Sequence, residues 1–154
     1  MKRYRFIFLF LLFFPIVIGT ACNSNKDSAK SENDIDAARN FIRSALDGKF
    51  DEARSYLLAD SVNTNWMDVA ERSYQKADAD TKNGYRSSSI HIHNVIYPIK
   101  DSVTVVIYSN SFKNDHDTLR VIKEKGQWLV DLKYLYEHDE DTIQIKKPLN
   151  DSIR

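Results

Sequence analysis

His91 and His93 stand two apart in the alternating run Ile90-His91-Ile92-His93. On a β-strand, residues two apart point to the same side, so both imidazoles can reach one ion. Imidazole is a favoured ligand of zinc and copper. A third ligand is available from His116 or Asp117 in the following turn, or from His138 near the end. The same alternation also describes an ordinary strand with a solvated face and a buried one, and two histidines do not define a site. Acid–base catalysis is the second chemistry to weigh, with Asp36, Asp60, Asp68, Asp101 and Asp131 as available carboxylates. It requires a carboxylate in a pocket, with a raised pKa and a partner. No spacing among the five supplies one, and solvated acids account for all of them. Ser87-Ser88-Ser89 lacks the glycine-flanked elbow of a serine nucleophile. Asp139-Glu140-Asp141 lacks the length and the glycine of a calcium loop. With four glycines the chain has no phosphate-binding loop. These residues predict no catalytic residue, no resident metal and no cofactor.

The elements that would position them fall into a helical half and a strand half. Ile35, Ala38, Phe41, Ile42, Ala45 and Leu46 recur at helical spacing behind Asp34, a capping residue, and Gly48 offers the left-handed conformation that ends helices. A second, shorter helix follows, with Phe50, Ala53, Tyr56 and Leu57 on one face, and Asp60-Ser61 breaks it. A third is expected over residues 65–77, with Trp66, Val69, Ala70, Tyr74 and Ala77 as its apolar stripe. Residues 78–84 hold Gly84 and several turn formers, and read as a loop. The period then changes to two. Strands are expected from Ile90 to Tyr97-Pro98, over 102–112, over 118–123 and over 127–134, the last aligning Trp128, Val130, Leu132 and Tyr134. Turns at 113–116 and at Lys125-Gly126 imply an antiparallel meander. The fold class is α+β: N-terminal helices packed on a curved four-stranded antiparallel sheet. The aromatic residues Phe41, Phe50, Tyr56, Trp66, Tyr74 and Trp128 fall on core faces, while Tyr97, Tyr108 and Phe112 are candidates for a partly exposed binding face.

The N-terminus carries the address. Lys2, Arg3 and Arg5 precede an apolar run over residues 6–18, which has signal-peptide length and is shorter than a spanning helix requires. Gly19, Thr20 and Ala21 follow, and then Cys22, the only cysteine. A lone cysteine in an exported chain cannot form an internal disulfide. Thr20-Ala21-Cys22 resembles the lipobox of bacterial lipoproteins, with Gly19 where leucine is usual and Ile18 one position earlier. The resemblance implies cleavage before Cys22, acylation of its thiol and attachment to a membrane outside the cytoplasm. Each buried acyl methylene contributes about 0.8 kcal/mol, and stable anchoring needs more than one chain. Asn23 after the cysteine implies, by the same resemblance, the outer membrane of a cell that has one. Residues 22–33 have no large apolar side chain and form a polar tether. Residues 34–136 form the domain and 137–154 a mostly polar tail, in which 142–146 alternate briefly as an edge strand would, although Pro148 and the charges argue for a mobile end. Without residues 1–21 the chain carries 19 basic and 22 acidic side chains, which argues against a nucleic-acid partner.

Three local patterns add a family resemblance: Ala37-Ala38-Arg39-Asn40-Phe41, then Leu46-Asp47-Gly48-Lys49-Phe50-Asp51-Glu52-Ala53, and Lys125-Gly126-Gln127-Trp128-Leu129-Val130. Over residues 34–136 the chain resembles small lipoproteins of the nuclear-transport-factor-2-like, or cystatin-like, cone fold. The resemblance implies a helix, a small-residue turn and a second helix, and a closing hairpin that ends in a buried tryptophan strand. Enzymes of that family place an acid or a His–Asp pair inside the cone, and no such pair matches specific positions here. The expectation is a lipid-anchored envelope protein with a non-enzymatic domain that binds a small apolar ligand, a peptide or another envelope protein. The alternatives are a small-molecule enzyme using the cone pocket and a metal-binding module through His91 and His93.

Overall fold

The computed structural model describes residues 31–134. The signal segment 1–21, Cys22, most of the tether and the tail 137–154 lie outside the described residues. Eight elements follow in order: α1 Asp34–Leu46, α2 Phe50–Ser55, α3 Ser61–Lys76, α4 Ala79–Ser87, β1 Ile90–Ile99, β2 Val103–Asn110, β3 Asp117–Glu124 and β4 Gln127–Asp131. The strands form one antiparallel sheet in the order β1-β2-β3-β4, the expected meander. The class is α+β, helices and an open four-stranded antiparallel sheet.

Three helices, α1, α3 and α4, start on a side-chain cap. Asn33, not Asp34, caps α1, its side chain accepting from the Asp36 N–H at 2.9 Å. Asp34 instead sits in the first turn and accepts from the Thr104 hydroxyl at 2.5 Å, tying the helix to β2. Asp60 caps α3 by accepting from the N–H groups of Val62 and Asn63. The helix therefore begins four residues before the expected position. Its buried side is set by Asn63 and Met67, while Val69 is 44% exposed. A polar Asn at the centre of the buried face disguised the stripe.

The expected loop over 78–84 is a helix. Asp78 caps α4 by accepting from the Thr81 N–H at 2.7 Å. Gly84 is not a breaker here. A β-carbon at that position would lie 2.3 Å from Cε2 of Phe112, so the glycine makes room for a ring. Arg43 of α1 then holds the end of α4, donating to the carbonyls of Ser88 (2.7 Å), Tyr85 (3.1 Å) and Arg86 (3.2 Å). A cation at a helix C-terminus satisfies carbonyls that have no partner within the helix.

The sheet has two faces. Val106 opposite Leu119, and Val121 opposite Val130, form the inner face under α1, which contacts all four strands. With Ala37, Ala38, Phe41, Ile42, Phe50, Ala53 and Met67 they make the core. The outer face carries Ile96 opposite Val105, Val105 opposite Arg120, and Ile122 opposite Leu129. Lys125 and Gly126, both at positive φ (50° and 81°), form the two-residue turn between β3 and β4 that the Lys-Gly pair predicts.

β4 is shorter than expected and stops at Asp131. The Leu132 N–H is taken by Oδ1 of Asn63 at 2.6 Å, so the helix side chain replaces the next rung of the ladder. The free edge of β4 is closed by the segment after α2: Leu58 N–H donates to the Val130 carbonyl and Val130 N–H to the Tyr56 carbonyl, both at 2.8 Å. β2 likewise ends at Asn110, and Phe112 turns out of the sheet toward α4. Trp128 is half-buried against the core, not buried, and Lys123 lies over its ring at 5.2 Å.

Candidate ligand cleft

α1, α3 and α4 leave a gap against the β2–β3 end of the sheet. Two cavities of about 360 and 530 Å³ occupy it, and they share Ala45, Leu46, Tyr85 and Asp117. The first runs under Phe41 and Tyr108; the second runs past Phe50 and Tyr74. The rings that surround them are in mutual contact. Phe50 meets Tyr74 edge-on at 5.4 Å, Tyr74 lies 6.3 Å from Tyr85, and Tyr85 meets Phe112 edge-on at 5.1 Å. Gly48, at φ +76°, lets α1 end against Tyr74. The hydroxyl of Tyr74 is buried and has no hydrogen-bond partner among the described residues. Leaving a buried donor unpaired costs about 1–3 kcal/mol, so a ligand acceptor that reached it would gain that amount. Lys113, Asp115 and Asp117 supply charge at the lip.

None of the five carboxylates weighed as catalytic acids lines this cleft; each has a structural place. Asp36 accepts from Asn33 Nδ2 at 3.0 Å, and Asp68 accepts from Arg54 at 2.8 Å. Asp101 occupies the β1–β2 turn at φ 59°. Asp60 caps α3 and pairs with Lys133 at 3.1 Å, and the donors around it, Asn63 first, hold its pKa down at about 2. Asp131 corrects the expectation of solvated acids. It is 3% exposed, on the outer side as the alternation implied, and bonded to Arg120 and to Asn63 Nδ2 (3.3 Å). Its environment could not be read from spacing, since both partners are distant in sequence.

The histidines share the outer face. His91 lies opposite Ser109, and His93 shares a hydrogen bond of 2.8 Å with the Ser109 hydroxyl. His116 does approach His93, but as a stacked ring at 4.1 Å, face to face. Among the described residues no three His, Cys, Asp or Glu side chains are grouped to hold a metal ion. His138 and Cys22 lie outside the described residues. Of the three partly exposed aromatics, Tyr108 lines the cleft and Phe112 buttresses Tyr85, whereas Tyr97 lies far off, in a recess with Lys100 and Trp128.

No family model matches the chain, and neither the curated proteins nor the solved structures give a match. The geometry of the cleft is therefore the guide to function. No helix among the described residues is long and apolar enough to cross a membrane.

The contact between Gly84 and Phe112 gives a test of the lip. Gly84→Ala forces the Phe112 ring away from Tyr85, while alanine is the better helix former by about 1 kcal/mol. Stability is expected to change by less than about 1 kcal/mol, because Phe112 is already 42% exposed and can swing outward. Affinity of the cleft for an apolar dye is expected to fall several-fold, read by fluorescence titration beside a thermal melt.

Proposed function

We propose that this chain is a lipid-anchored envelope protein whose domain holds an amphipathic ligand in the cleft between α1, α3, α4 and the sheet. The observation that carries the reading is the cleft itself. Its walls are Phe41, Leu46, Phe50, Tyr74, Tyr85 and Tyr108, and its charged groups gather at one lip. An apolar cavity with a few polar groups at its mouth suits a ligand with an apolar body and a polar end, either a small molecule or an apolar peptide segment. The structural engagement of Asp36, Asp60, Asp68 and Asp131 favours binding over catalysis. The helices-then-meander order supports a nuclear-transport-factor-2-like cone as the finer description of the fold. The basic start, the thirteen-residue apolar run and Thr20-Ala21-Cys22 support lipidation at Cys22 and an envelope location.

The cleft is tested with N-phenyl-1-naphthylamine, a neutral dye that fluoresces on leaving water. The full chain is expected to bind it, and Ala45→Trp, at a position that lines both cavities, is expected to weaken binding by tenfold or more, about 1.4 kcal/mol. Val62→Ser, on the exposed side of α3, serves as a control. Equal binding by the Ala45→Trp chain would sink the cleft as the site. The anchor is tested separately by fractionating cells that express Cys22→Ala. Loss of acylation should leave an unprocessed or released chain, and a cleaved, unlipidated chain that still sediments with membranes would overturn the anchor.

A further inference from the structure

α1 begins part-way along the sheet and leaves the end of the inner face beyond it open. The helix meets β2 at Thr104, whose hydroxyl donates to the Asp34 carboxylate at 2.5 Å. Past that contact lie Tyr97, near the end of β1, and the cross-strand pair Lys123 and Trp128 of β3 and β4. Lys123 and Trp128 stand two residues from Val121 and Val130, so they share the inner face with them. With the β1–β2 turn they enclose a recess of about 690 Å³, larger than either cavity of the helix-side cleft. Asp34 lines this recess and Ala45 lines the cleft, so the two sites sit about 16 Å apart along α1.

The lining restricts what the recess can hold. Lys100 and Lys123 face it together with Asp34 and Asp101, so its formal charges cancel. The first turn of α1, which would otherwise attract an anion, is already occupied: the Asp36 N–H donates to the Asn33 side chain and the Ile35 N–H to Asp34. A neutral ligand therefore fits better than an ion. The polar groups are of both kinds, ammonium donors beside carboxylate and hydroxyl acceptors, and Thr104 among them is fully buried. Between them stand two flat rings. Tyr97 is 58% exposed and Trp128 is half-buried, with the Lys123 ammonium 5.2 Å from its ring centre. An exposed ring that a monomer leaves in water marks a contact. A saccharide matches this combination. It is neutral, each hydroxyl both donates and accepts, and the C–H face of a pyranose ring lies flat on an aromatic one. The volume is that of an ordinary ligand site and admits a short oligosaccharide.

We propose that this recess is a carbohydrate-binding site. Tyr97 and Trp128 stack on sugar rings, and Lys100, Asp101 and Lys123 bond to the hydroxyls around them. The site is separate from the helix-side cleft and requires neither the ligand of that cleft nor the lipid on Cys22.

NMR titration of the isotope-labelled full chain tests this, with maltotetraose, cellotetraose and chitotetraose as probes and inorganic phosphate as the ionic comparison. The chain has two tryptophans, and the indole N–H of Trp128 is identified by its loss in Trp128→Phe. At least one tetrasaccharide is expected to shift that signal with a Kd of about 1 mM or below. The indole of Trp66, on α3, should stay in place. Tyr97→Ala is expected to weaken the binding about tenfold, and a thermal melt verifies that the variant is folded, as the exposure of the ring implies. No response to any of the three sugars at about 10 mM overturns the proposal, as does equal binding by Tyr97→Ala. A shift produced by phosphate and by none of the sugars overturns it in favour of an anion site. Equal movement of both indoles overturns it in favour of unspecific contact.

Discussion

Asp131→Ala is expected to cost about 3 kcal/mol of folding stability, with the urea midpoint falling and the slope of the transition unchanged. The carboxylate is buried, and it is the point where three elements meet. Arg120 donates to it from β3, Asn63 from α3, and the Lys133 N–H from the chain just beyond β4 at 3.1 Å. Removing it leaves a half-buried guanidinium and the Asn63 amide short of an acceptor. Breaking a buried pair from one side typically costs about 3–5 kcal/mol, and the 27% exposure of Arg120 puts this case at the lower end. Asn63→Ala should cost a similar amount for a related reason. Asn63 is fully buried, receives the Leu132 N–H, and donates to both Asp60 (2.7 Å) and Asp131. Because the two residues share one network, the double variant should be less destabilised than the sum of the singles by about 1 kcal/mol or more. Strict additivity would show that the buried polar cluster does not act as a unit.

The same cluster sets an acid limit. The pKa of Asp60 is held down to about 2 by the Asn63 and Lys133 donors. An unfolded aspartate titrates near about 3.9. A group whose folded pKa is depressed contributes stability above its unfolded pKa and loses it as pH falls through the folded one. The contribution from Asp60 is therefore complete above about pH 4 and gone below about pH 2. Asp60→Asn keeps much of the helix cap but removes the titration, so its stability should be flatter with pH across that window. Parallel curves for the two proteins from pH 5 to 2 would show that Asp60 is not the titrating group.

Much of the architecture followed from period alone. Alternation located the strands and their order, and the α1 stripe of Ala38, Phe41 and Ile42 is the stripe that is buried. The Lys125-Gly126 turn was readable because a two-residue turn has a narrow residue preference. What stayed hidden has one common cause, a local signal reassigned by a distant partner. Gly84 reads as a breaker until Phe112 is seen to fill the space a β-carbon would need. Asn63 reads as an interruption in an apolar stripe until it is found receiving the Leu132 N–H. The aromatic walls were visible as apolar residues. That Tyr85 and Tyr108 would line one cavity was not, because Tyr85 sits in a helix that the glycine concealed, and that helix is fixed by Arg43, more than forty residues away.

Gly48→Ala is expected to destabilise the domain by about 2–5 kcal/mol, the sum of two separable effects. The first is backbone: Gly48 holds φ +76°, where an L-residue pays about 1–2 kcal/mol. The second is steric: the added carbon would stand 2.6 Å from Cε1 and 2.9 Å from Cζ of Tyr74. Forcing a methyl group into a packed site typically costs about 1–3 kcal/mol. Phe50, edge-on against one side of Tyr74, and Lys82, 5.9 Å from its ring centre, leave the ring only the cavity side to retreat into. The two parts are distinguished in a Tyr74→Ala background. There the steric part vanishes and Gly48→Ala should cost only the backbone share, about 1–2 kcal/mol by urea denaturation. An undiminished cost in that background would place the whole effect in the turn. A cost that fell to zero would place it all in the ring contact, and the left-handed conformation at Gly48 would then contribute nothing to the way α1 ends at the cleft.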